Sequence, residues 1–313
     1  MIVLWIAGLV VGIAVAAAGS RRAVGAALET SESLGISAGL VGLSIMAVGT
    51  DLPEIANSII ASVTGHGDVN VGDSTGSALT QITLILALLV LGAGLSAGMR
   101  RNESKVAVPA GLMAVCALVV LAIMLSDGTL GRADGAILVV AWFVSLVWME
   151  RHDRQGDAFP RVPDGQTGAA IMQTLLWLSV VGVAATMIVR SFIEITDSLG
   201  VPEFVASSIV LALGTSVPEL VVDWTAIRRG AAALAVGDLF GATLVDSTLS
   251  VGIGPVFRPT AVSTEAMTGT LVIAVGVAVA TLVVAFVTSR RALASWLLVV
   301  YGVSTGVLIA LTG

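Results

Sequence analysis

Residues 106–125 read VAVPAGLMAVCALVVLAIML, twenty positions without a charge. That length matches the roughly 20 residues a helix needs to cross the hydrocarbon core of a bilayer. Lipid offers no water to the backbone, so such a run must satisfy its own amides and carbonyls as a helix. About ten runs of this kind fit the chain. They fall near 2–19, 34–64, 69–97, 106–126, 133–150, 168–195, 202–227, 232–256, 266–288 and 293–311. Only 12% of the residues are charged, against about 25% in soluble domains, and the mean hydropathy is +1.03. The expected class is an all-α polytopic membrane protein with ten transmembrane helices.

The positive charges orient these spans. The run from Ile2 to Ala18 has no basic residue before it, and Arg21 and Arg22 follow. A secretory leader carries its charges first, so this run reads as a retained helix with its N-terminus outside. The loops on the inner side then hold Arg21, Arg22, Arg100, Arg101, Lys105, Arg151, Arg154, Arg161, Arg228, Arg229, Arg290 and Arg291. The outer side holds Arg132, Arg190 and Arg258. Twelve against three is the bias expected of cytoplasmic loops. Both termini are expected outside and the loop at 151–167 in the cytoplasm. The preponderance of Ala, Gly, Val and Arg suggests a prokaryotic cell membrane. Cys116 reads as core packing, and His66 and His152 as solvated loop residues.

An offset of 165 residues superposes one half of the sequence on the other. Gly49-Thr50 meets Gly214-Thr215, Pro53-Glu54 meets Pro218-Glu219, Gly72-Asp73 meets Gly237-Asp238, and Gly76 meets Gly241. Shared Ala or Gly would mean little in this composition; shared Thr, Pro, Glu and Asp at one offset mean descent from one unit. The expected domains are a first five-helix repeat at 1–150, a linker at 151–167 and a second repeat at 168–313. Their most similar parts are about 38–92 and 203–257. An odd number of spans per half inserts the second copy upside down. Such inverted repeats bind ions where interrupted helices meet at the membrane midplane.

The GTxxPE element supplies the interruption. Pro53 lacks an amide hydrogen and frees a carbonyl about one turn earlier. Thr50 and Glu54 are four apart and share a helical face. A carboxylate, a hydroxyl and bare carbonyls form an all-oxygen set suited to hard cations. Thr215, Glu219 and the Ala212 carbonyl offer the same set again. Ser77 and Gln81 share a face in the next span, where Ala242 and Asp246 hold the matching places. Gly72, Gly76, Gly237 and Gly241 suit close helix packing that brings spans three and eight against spans two and seven. Acids inside a membrane are rare and functional by default, and no Lys or Arg lies within these segments. Asp73 and Asp238 could instead hold helix ends. Asp51, one helical step from Thr50, either faces the site obliquely or packs on span three. No Cys/His metal set, nucleophile triad or phosphate loop is present, so the chain does not read as an enzyme.

The paired motifs GTDLPE with GDSTGSALTQ, and GTSVPE with GDLFGATLVD, resemble the two α-repeats of the cation/Ca²⁺ exchanger superfamily. They resemble the prokaryotic sodium/calcium exchanger branch in particular, and the resemblance covers essentially the whole chain. It implies ion sites between spans two, three, seven and eight. Their ligands would be Thr50, Glu54, Ser77, Thr215, Ser216, Glu219 and Asp246, with the carbonyls of Ala47 and Ala212. It implies Ca²⁺ and Na⁺ as transported ions that exclude each other, with spans one and six sliding to alternate access. It implies no cofactor, no nucleic acid and no obligatory protein partner, only the lipid bilayer. Asp51, Gln81 and Ala242 depart from the pattern, where Ser or Thr, Asn or Asp, and Ser are common. A third carboxylate could share a proton, so a H⁺-coupled antiporter for Ca²⁺ or another divalent ion stands as the alternative. A channel or scaffold fits an inverted repeat with midplane acids less well.

Overall fold

The computed structural model describes residues 2–35, 37–93, 95, 104–153, 167–196 and 203–312. The described residues are helical almost throughout. Helices α1 (Ile2–Leu34), α2 (Ala38–Thr50), α3 (Leu52–Thr64), α4 (Gly67–Ala93), α5 (Ser104–Met124) and α6 (Arg132–Asp153) form the first half. Helices α7 (Thr167–Thr196), α8 (203–215), α9 (Val217–Arg228), α10 (Ala232–Phe257), α11 (Thr264–Phe286) and α12 (Arg290–Thr312) form the second. Among the described residues eight helices are long and apolar enough to span a membrane, or nine if α2 and α3 are one bent span. The expected span near 2–19 falls in α1, several of whose side chains lie outside the described residues. Large apolar residues cover the outer faces, among them Ile123, Phe143, Val275, Phe286 and Val303, as a lipid-facing surface requires.

The sequence offset reappears in the backbone. Asp51 and Ser216, at the two breaks, both have φ −79° and ψ 9°. Pro53 and Pro218 sit in the first turn of α3 and α9, where a missing amide costs nothing. Gly65 and Gly230 end these helices at φ 88° and 80°, a left-handed turn that only glycine enters freely. Wide π turns occupy Gly42–Met46 and Ser207–Leu211 before the breaks, and Gln81–Ile85 and Asp246–Ser250 inside α4 and α10. Such turns lack the regular i→i−4 bonds and tend to mark functional places. The α2–α3 pair bends by 46°.

The glycines pack across the halves. A Cβ on Gly76 would lie 2.6 Å from the Cα of Ser208, and one on Gly241 would lie 2.6 Å from the Cα of Leu43. Gly72 similarly faces Ser207 and Phe204 of α8, and Gly237 faces Gly39 of α2. Span three therefore meets the start of span seven, and span eight the start of span two. The clashing atoms are backbone and cannot rotate away. Gly76→Ala and Gly241→Ala should each destabilise the protein by about 1–3 kcal/mol, read as a lower melting temperature in detergent. An unchanged melting temperature would contradict this packing.

Helices α1 and α7 lie side by side. Together with parts of α2, α9 and α10 they enclose a small apolar cluster rich in alanine, including Ala23, Ala27, Ala184, Ala226 and Ala235. Polar contacts there include Ser20 with Thr225 at 3.0 Å, Thr30 with Thr174 at 3.3 Å, and the Arg22 guanidinium 4.6 Å above the Trp177 ring. The larger core joins the remaining helices.

Three expectations need correction. The first span does not stop before Arg21 and Arg22: α1 continues to Leu34 because Arg21 and Arg22 are exposed while Ala23, Val24 and Ala27 bury against α7 and α9. Cys116 is exposed on the outer face of α5 rather than packed in the core. The backbone of His152 is helical, inside α6. A two-stranded pairing, β1 (Thr129–Leu130) with β2 (Thr260–Ala261), ties the α5–α6 and α10–α11 connections together. Most of the expected linker, 154–166, lies outside the described residues, as do Arg100 and Arg101.

Candidate cation site

Each break presents its polar residues to the centre of the molecule. Thr50, Asp51 and Glu54 from α2–α3, Ser77 and Gln81 from α4, Thr215, Ser216 and Glu219 from α8–α9, and Asp246 from α10 are all buried. Carboxylate oxygens of Asp51, Glu54 and Glu219 lie within 4.8 Å of one another. These three acids come from both halves, and the bend at Asp51 decides the arrangement. In a straight helix Asp51 would point about 100° away from Thr50. The turn at ψ 9° instead brings it beside Glu54 and Glu219.

Hydroxyls and amides link the acids into one network. The Ser77 hydroxyl lies 3.4 Å from Oε1 of Glu54, 3.2 Å from the Thr215 hydroxyl and 3.5 Å from the Ala212 carbonyl. Gln81 Nε2 donates to Oδ2 of Asp246 at 3.0 Å and to Oδ1 of Asp51 at 3.4 Å. Thr50 donates to the Met46 and Ala47 carbonyls at 3.2 Å each. The Ala47 carbonyl also accepts from the Asp51 amide, and the Ala212 carbonyl from the Ser216 amide. Thr215 also donates to the Ala212 carbonyl, so each of these carbonyls already accepts at least two hydrogen bonds, is not bare as expected, and would trade a hydroxyl for an ion. Ala242 is buried where a hydroxyl would have added one more ligand.

What the network lacks matters most. Asp51 Oδ2, Glu54 Oε2, both oxygens of Glu219, Asp246 Oδ1 and Ser216 Oγ have no hydrogen-bond partner. No Lys or Arg donates to these acids among the described residues. Burying an unpaired carboxylate costs several kcal/mol, and buried polar groups in folded proteins are nearly always satisfied. A cation among these oxygens removes the cost. The donor set is all oxygen apart from the Gln81 amide nitrogen, which favours hard cations over transition metals.

Asp73 accepts from Asn57 Nδ2 at 2.6 Å and from the Thr215 hydroxyl at 3.1 Å. It is a held residue that positions Thr215. Asp238 accepts from Thr50 at 3.4 Å. Two residues escaped the sequence reading. Asn57 is the partner of Asp73. Asp223 is fully buried with both oxygens unpartnered. Its position four residues after Glu219, hence on the same face, was the available signal.

A family model described as the sodium/calcium exchanger protein matches residues 4–149 and 169–310. The chain belongs to this family. It is therefore a membrane transporter of the cation/Ca²⁺ exchanger kind. The inner membrane protein YrbG of Escherichia coli is 29% identical over 264 residues, 80% of this chain and 79% of that protein. The sodium/calcium exchanger MaX1 of Methanosarcina acetivorans is 21% identical over 296 residues, 82% and 83%. The putative antiporter CaxA of Alkalimonas amylolytica is 27% identical over 266 residues, 80% of each. In architecture the chain is similar to the sodium-calcium exchanger NCX_Mj, with a TM-score of 0.75, 21% identity, and coverage of 98% and 99%.

Proposed function

We propose that this family member exchanges Na⁺ for Ca²⁺ by alternating access, using the site between α2–α3, α4, α8–α9 and α10. The observation that carries the reading is the meeting of Asp51, Glu54 and Glu219 without a basic partner. Ca²⁺ takes six to eight oxygens, mostly carboxylate and carbonyl. The ligands would be the three acids with Asp246, Thr50, Ser77, Thr215 and Ser216, and the Ala47 and Ala212 carbonyls. Gln81 holds Asp51 and Asp246 through its amide nitrogen, and its Oε1, buried without a partner, would join the ligands. Na⁺ ions would use the same oxygens, so either species displaces the other.

Exchange rather than leak follows from the charge. The bare acid cluster resists burial, so the site closes only when loaded with cations. Each ion must bind the two access states differently to move the equilibrium. The alanine-rich seam under α1 and α7, with its small side chains, suits these two helices to slide over the rest. In the arrangement proposed here ten spans form two inverted repeats, 1–150 and 168–313, joined by a cytoplasmic linker at 151–167. Both termini then lie outside.

A H⁺-coupled exchanger is the second reading, favoured by Asp51. It adds a carboxylate beside Glu54 and Glu219 where the second half has Ser216. Two close acids can share one proton.

Equilibrium binding tests the shared site. Radiolabelled Ca²⁺ should bind the purified protein in Na⁺-free buffer, and added Na⁺ should displace it with a Hill coefficient above one. Choline at the same ionic strength should not. Ca²⁺ binding untouched by Na⁺ would overturn the proposal.

A further inference from the structure

The two halves differ at one buried place beside the main site. In the first half Asn57 donates to Asp73 at 2.6 Å, and the Ser58 hydroxyl accepts from the Gly254 amide at 3.1 Å. Both residues are satisfied. At the 165-residue offset, Val222 replaces Asn57 and Asp223 replaces Ser58. Asp223 of α9 lies against Asp238 of α10, and both are 0% exposed. Both oxygens of Asp223 and Oδ2 of Asp238 have no donor. The two carboxyls are within hydrogen-bonding reach of each other, so the contact joins two acceptors that need a proton or a cation between them. The Thr50 hydroxyl also lies 3.4 Å from Asp238 Oδ1, but its one hydrogen is shared with the Met46 and Ala47 carbonyls.

We infer that Asp223 and Asp238 form a second position for a monovalent hard cation, Na⁺ being the ion at hand, separate from the three-acid cluster. Two carboxylates facing each other in a buried setting repel, and one small cation between them removes that repulsion and fills the vacant lone pairs. Asp223 lies one turn beyond Glu219 toward Arg228 and Arg229. An ion there stands between the main site and that end of the molecule. The first half has no such position, because the Asn57 amide occupies the equivalent gap. The protein would therefore offer Na⁺ a stepping place on one side only. This inference rests on the exchange reading for the identity of the ion.

Asp223→Asn tests it, because the new amide can donate to Asp238 as Asn57 does to Asp73. The variant keeps size and recreates a satisfied pair, so it should fold. Radiolabelled Na⁺ and Ca²⁺ would be bound at equilibrium to the full-length protein in detergent, beside wild type, Asp223→Ser and Glu54→Gln. For Asp223→Asn and Asp223→Ser the half-saturating Na⁺ concentration should rise by roughly tenfold or more, while Ca²⁺ affinity changes less than about threefold. In cation-free buffer Asp223→Asn should melt at a higher temperature than wild type, and Na⁺ should raise that temperature less. Na⁺ binding identical to wild type in both variants would overturn the inference. So would an equal loss of Na⁺ and Ca²⁺, which would make Asp223 part of the main site. Wild type binding neither ion would instead overturn the exchange reading itself.

Discussion

Glu54→Gln and Glu219→Gln should each lower Ca²⁺ transport by at least about a hundredfold, near 2.7 kcal/mol, and should at the same time stabilise the protein in cation-free buffer. The two effects have one cause. Glu54 and Glu219 are 0% exposed, and three of their four oxygens lack any partner. The amide keeps the shape of the side chain and removes a charge that nothing in the apo protein balances. It also removes an anionic ligand that a divalent ion needs. Transport into proteoliposomes and thermal unfolding in detergent read the two quantities separately. Loss of transport with a lower melting temperature would mean that the glutamates hold the fold rather than the ion. A variant that still transports at the wild-type rate would remove them from the site.

Asp51→Ser has the second largest expected effect, and it falls on selectivity. The substitution gives the first half the residue that Ser216 supplies in the second. It takes one carboxylate from the cluster of three and leaves Gln81 bonded to Asp246 alone. The half-saturating Ca²⁺ concentration should rise by roughly tenfold to a hundredfold, about 1.4–2.7 kcal/mol, while transport itself survives. The charge moved per cycle should change as well, measured as current across a membrane capacitor carrying the protein. Unchanged Ca²⁺ affinity and unchanged current would place Asp51 outside the ion path. If Asp51 instead carries a proton, Asp51→Ser would abolish any uptake driven by a pH gradient and spare uptake driven by Na⁺.

Much of this was legible in the sequence because lipid punishes polar residues. Pro53, Glu54, Pro218 and Glu219 stand out in apolar runs, and their common offset of 165 residues predicts the paired breaks that the backbone shows. The glycines at 72, 76, 237 and 241 foretold close packing. Three features were not legible, each for a physical reason. The direction of Asp51 depends on one ψ angle of 9° at the break, and helical spacing assumes a regular turn there. The length of α1 was masked by Arg21 and Arg22, which look like the end of a span. Long basic side chains can keep their charge at the surface while the helix continues, and Arg22 lies over Trp177. The role of Asp223 depends on which helix it meets. Asp238 sits fifteen positions away in sequence and becomes its neighbour only when α9 folds back on α10.

The central claim is that Na⁺ and Ca²⁺ compete for one acid cluster and so drive each other across the membrane. The most direct test is radiolabelled Ca²⁺ uptake into proteoliposomes loaded with Na⁺ and diluted into Na⁺-free buffer. Matched vesicles would be loaded with K⁺, and a third set would carry an imposed pH gradient. The account predicts uptake that requires internal Na⁺, is absent in K⁺-loaded vesicles and is lost in Glu54→Gln. Uptake that ignores internal Na⁺ and follows the pH gradient would contradict it and establish proton coupling in its place.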